Sequence, residues 1–63
     1  MCEFTVFLGK EAVCKDIVYA KVEAGKVFVK DVLGVSEVFE NCQIVEVDVT
    51  SERLVIASTK QNQ

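Results

Sequence analysis

The sequence predicts a small all-β protein, an antiparallel barrel or curled sheet of about six short strands. Apolar and polar residues alternate with a period of two, and no helical period survives more than two turns. Thirteen of the 63 residues are valine, which suits the pleated surface of a strand. Turn-forming residues cut the pattern at a spacing of roughly eight to ten residues, the rhythm of short strands in a closed or curled sheet.

The first strand is predicted from residue 3. Phe4, Val6 and Leu8 share one parity, Glu3, Thr5 and Phe7 the other, and Cys2 falls on the Phe4 side. Gly9-Lys10 makes the first turn. The stretch AVCKDIVYAKVE bends at Lys15-Asp16, with a second strand over residues 17–23. A helix over residues 11–22 is the alternative, disfavoured by the density of β-branched residues. Ala24-Gly25-Lys26 is the clearest hairpin signal, because Gly25 can take the positive φ that tight β-turns demand. A third strand is expected over residues 27–30, a fourth over 35–40 ending at Asn41, and a fifth over 43–49. In the fifth, Val45, Val47 and Val49 are expected to face inward and Glu46 and Asp48 to face water. Residues 50–52 turn the chain, and residues 53–58 form the last strand, with Leu54 and Ile56 on one face. The expected organisation is a single barrel domain over residues 1–58 followed by a polar tail over residues 59–63.

A core this small leaves little surplus stability. Yet 51% of the chain is apolar, and several strands are apolar on both faces, notably Phe28 against Val27 and Val29. One face packs the core; the other is expected to pack a second copy about a two-fold axis, giving a homodimer. No secretory or membrane-spanning pattern is visible, so the expected compartment is the cytoplasm, where Cys2, Cys14 and Cys42 stay reduced. The net charge is −3 with no basic cluster, which makes nucleic acid an unlikely partner.

The chain has no histidine, which removes Ser-His-Asp and Cys-His catalysis and imidazole metal sites. Three isolated glycines make no phosphate loop. The acidic residues alternate with apolar ones and read as a solvated face. No enzyme is expected from this inventory. Cys14 and Cys42 sit among apolar residues and read as small buried thiols. Cys2 stands apart. A thiolate there, joined by the Cys2 amide nitrogen and the amine of Met1, closes five-membered rings on one ion. That donor field suits square-planar Ni(II) or Cu(II) better than tetrahedral Zn(II). Against this stands the plainer reading of an incidental exposed cysteine.

The opening MCEFTVFL, the middle KVFVKDVLG and the late IVEVDVTSERLVI resemble the CooT-type nickel-binding proteins over nearly the full length, with Met1-Cys2-Glu3 the most specific part. The resemblance implies an SH3-like small barrel, a cytoplasmic homodimer, and one Ni(2+) shared between two protomers through Cys2, with Met1 and Glu3 as backbone contributors. It also implies service to the maturation of a nickel enzyme such as carbon monoxide dehydrogenase, as a nickel chaperone or store. Cys14 and Cys42 have no counterpart in that motif. The alternative is a metal-free module binding nucleic acid or protein, as small SH3-like barrels commonly do.

Overall fold

The computed structural model describes residues 3–60. They form six strands, β1 (Phe4–Leu8), β2 (Glu11–Glu23), β3 (Lys26–Asp31), β4 (Ser36–Glu40), β5 (Cys42–Asp48) and β6 (Arg53–Ser58), and contain no helix. The sheet order is β4-β3-β2-β1-β6-β5, so β1 lies near the centre while β4 and β5 are the two edges.

The all-β class is as expected, with two differences in how the sheet is put together. It curls but does not close into a barrel, because β4 and β5 do not pair. It is also not wholly antiparallel: β1 and β6 pair in parallel, Thr5 with Arg53 through Leu8 with Ile56. Both follow from one residue. A hairpin needs at least two loop residues to reverse the chain. Between β4 and β5 there is only Asn41, held at φ 57°. The ladder senses require β4 and β5 to run the same way, so Asn41 bends the chain without turning it back. β5 therefore continues onto the opposite side of the curl, and β6 returns alongside β1. The corner is pinned by the Cys42 N–H to the Gly25 carbonyl (3.1 Å) and the Thr59 N–H to the Asn41 carbonyl (2.7 Å).

β2 is one 13-residue strand, longer than the expected 17–23, and the helical alternative for this stretch is not taken. The expected bend is there: Asp16 sits at φ 59° and the pairing register shifts on both sides of it. Asp tolerates the left-handed region better than most residues, because its short polar side chain can bond locally. The bend lets the first half of β2 pair with β1 and the second half with β3. Ala24 and Gly25 both take positive φ (53° and 75°) between the paired Glu23 and Lys26, the geometry of a two-residue hairpin turn.

The core comprises Val6, Ile17, Val27, Val29, Cys42, Leu54 and Ile56, with Phe4, Cys14, Phe39 and Ile44 packed against it. No polar or charged residue among those described is buried. β3 and β6 follow the expected alternation. β5 does not: Val45, Val47 and Val49 are exposed, contrary to the expectation that they face inward. The inward positions are Cys42 and Ile44, and a register shift between Ile44 and Glu46 breaks the alternation just beyond them.

Candidate functional site

Of the three predicted site residues, Met1 and Cys2 lie outside the described residues. Glu3 is exposed and immediately precedes β1. What the structure fixes is the platform just after them. Phe4 pairs with Ile17 on one side, and the Thr5 N–H donates to the Glu52 carbonyl (2.9 Å) on the other. β1 is thus held by two neighbouring strands from its first residue. Covalent geometry keeps any residue two positions from Phe4 within about 7 Å of it along the chain.

Phe4 also lines an open apolar groove of about 290 Å³ with Ile17, Val18, Tyr19, Ala20, Ile44, Val47 and Leu54. One bank is β2 just past its bend, the other is β5. On the β2 bank, the Lys30 ammonium lies 5.6 Å from the Tyr19 ring centroid. On the β5 bank, Val47 pairs with Leu54 and lines the groove, while its neighbour Glu46 pairs with Val55 and meets the Arg53 guanidinium at 3.6 Å. Sequence reasoning expected a second apolar face but not this groove. Its β2 and β5 linings, Ile17 to Ala20 and Ile44 with Val47, are 24 or more residues apart, which no local pattern reports.

The other thiols are placed differently. Cys42 is buried in the core. Cys14 is half-buried; burial first, and then the Glu37 and Asp31 carboxylates, raise its pKa and hold it as the neutral thiol. A metal ligand must be thiolate, so this environment works against coordination. Among the described residues no three His, Cys, Asp or Glu side chains are grouped to hold an ion. No helix among them is long and apolar enough to cross a membrane.

Fold and platform together define a small all-β protein whose first residues lead directly into a central strand beside an apolar groove. The family model described as CO dehydrogenase accessory protein CooT matches residues 1–57, and the chain belongs to that family. Membership implies an accessory role to CO dehydrogenase. A comparison with the curated proteins finds no match.

Proposed function

We propose that the protein is a non-catalytic, cytoplasmic nickel carrier or store serving CO dehydrogenase maturation, acting as a homodimer that shares one Ni(II) through the Cys2 thiolates of its two chains. Residues 1–58 form the working unit. The observation that carries the reading is the family match from residue 1, which includes Met1-Cys2-Glu3. The structure supports it by elimination among three thiols: Cys42 is in the core and Cys14 is held protonated, so neither is suited to take an exchangeable ion.

The donor chemistry fits nickel. A thiolate and deprotonated backbone nitrogens give a strong planar field, which d⁸ Ni(II) favours over the tetrahedral set preferred by zinc. Two Cys2 sulfurs and two nitrogens, from backbone groups of Met1, Cys2 or Glu3, complete four positions. The ion is cargo, so its ligands remain near the surface for transfer. Without histidine, the site takes up nickel by losing thiol and amide protons, and uptake therefore strengthens as pH rises.

The test is a nickel titration followed by thiolate-to-metal charge-transfer absorbance and native mass spectrometry. The wild type takes one ion per two chains; Cys2→Ser takes none and stays folded; Cys14→Ser behaves as wild type. An unchanged titration in Cys2→Ser removes the reading.

A further inference from the structure

The turn between β3 and β4 is apolar where turns are usually polar. Val32, Leu33 and Val35 are 45, 85 and 56% exposed, with only Gly34 among them. Single exposed apolar side chains are ordinary, but a run of them at one loop tip marks a contact site. The backbone beneath the tip is tied throughout. The Val32 N–H donates to the Asp16 carbonyl (3.0 Å), the Leu33 and Val35 N–H groups to Asp31 Oδ1 (both 2.9 Å), the Gly34 N–H to the Asp31 carbonyl (2.9 Å) and the Asp31 N–H to the Val35 carbonyl (2.9 Å). Every N–H from Asp31 to Val35 is thus satisfied within the chain, while three apolar side chains face water. Such a tip adds nothing to the core. Its fixed shape lowers the entropy cost of inserting it into something else.

The tip stands at the metal end of the sheet. Phe4 pairs with Ile17, and Ile17 pairs with Asp31 on its other side. Adjacent strands lie about 4.8 Å apart, so the base of the turn is about 10 Å from the start of β1. We propose that this tip is the docking element for the protein that receives the metal, with Leu33 entering an apolar socket on that partner. Asp16, Asp31 and Glu37 lie at the base of the turn, against Lys15 and Lys30, and the Lys30 ammonium is drawn to the Tyr19 ring. The acidic balance matches a socket with a basic rim. It opposes an anionic membrane surface, which attracts apolar segments flanked by cations.

The partner is CO dehydrogenase, which family membership supplies. The inference rests on the nickel-carrier reading for what is handed over, but the contact itself is between two proteins. Docking through Leu33 brings the residues ahead of β1 against the partner's surface, within reach of the receiving site.

Binding of the metal-free protein to immobilised nickel-free CO dehydrogenase, followed by biolayer interferometry, tests it. The wild type, Leu33→Met and Cys2→Ser all bind. Leu33→Asp and Val35→Asp, at exposed positions, keep the strand signature in circular dichroism, the oligomeric state and the nickel titration of the wild type, yet weaken the contact at least about thirtyfold. A wild type that does not bind the enzyme, or binding that Leu33→Asp leaves intact, overturns the docking role. So does a Leu33→Asp protein with an altered oligomeric state, which makes the tip a contact between copies. A wild type that sediments with phosphatidylglycerol vesicles, and loses this in Leu33→Asp, overturns it in favour of a membrane contact. Leu33-dependent binding together with unchanged nickel uptake in Cys2→Ser leaves the tip standing and overturns only the metal reading.

Discussion

β3 and β5 are written almost alike and end up in opposite surroundings. Lys26–Asp31 alternates valine with lysine and phenylalanine, Cys42–Asp48 alternates valine with glutamate and aspartate. Val27 and Val29 are 0 and 1% exposed, Val45 and Val47 more than half. The difference lies in neighbours. β3 is paired on both sides, by β2 and β4, and faces the core inside the curl. β5 is paired only by β6 and leaves the core at the shift beyond Ile44.

The first way to break that comparison is to truncate matched valines. Val29→Ala loses a fully buried side chain and is expected to cost about 2 kcal/mol in chemical denaturation, through lost burial and the cavity left behind. Val45→Ala, on β5, is expected to stay within about 0.5 kcal/mol, as for other exposed positions. Equal costs would mean that β5 is already covered within one chain.

Thiol reactivity sharpens the same contrast in the Cys2→Ser background. Cys42, at the buried start of β5, is expected to be alkylated at least about a hundredfold more slowly than Cys14, since it needs local opening. Cys14 in turn reacts more slowly than a free thiol at pH 8 and catches up in alkali, because burial, Glu37 and Asp31 raise its pKa. The sign for stability follows: the unfolded thiol ionises first, so the Cys14 contribution is complete below the unfolded pKa and is lost as pH rises through the folded one. Matching rates for the two thiols at neutral pH would contradict the burial of Cys42.

The smallest effect concerns the turn after β3, which is held more tightly than the one after β5, where Asp48 Oδ1 accepts only from the Ser51 N–H at 3.3 Å. Asp31 Oδ1 accepts from the Leu33 and Val35 N–H groups, both at 2.9 Å, and fixes an exposed loop. Asp31→Ala is expected to cost about 1 kcal/mol, since water can replace a surface acceptor, and to speed amide exchange at Leu33 and Val35. No change in exchange there would show that the backbone pairing alone holds the turn.

Much of the architecture was legible in the order of residues. All six strands and the hairpin at Ala24-Gly25 follow from period-two alternation and turn chemistry, and the bend at Asp16 falls at the expected Lys15-Asp16 step. The last strand has the expected bounds, residues 53–58. Closure, the parallel β1–β6 pair and the outward β5 valines were not legible. The first two depend on Asn41 bending the chain instead of reversing it, and one asparagine between two strands looks the same in sequence either way; the third follows from the register shift between Ile44 and Glu46. The predicted metal ligands show the reverse case. Cys2 stands out by its place in the sequence and by family likeness, while the apolar groove beside Phe4 emerges only from segments distant in the chain.

What the sequence determined by itself is local: strand periodicity, the turns, the absence of histidine, and a thiol ahead of the first strand. Alternation and backbone preference act over a few residues and need no knowledge of the fold. The tertiary structure decided which valines are core and which are surface, which thiol is held protonated, and where an apolar groove opens. Those outcomes depend on strand neighbours, and a strand's neighbours are set by long-range pairing that its own residues do not encode.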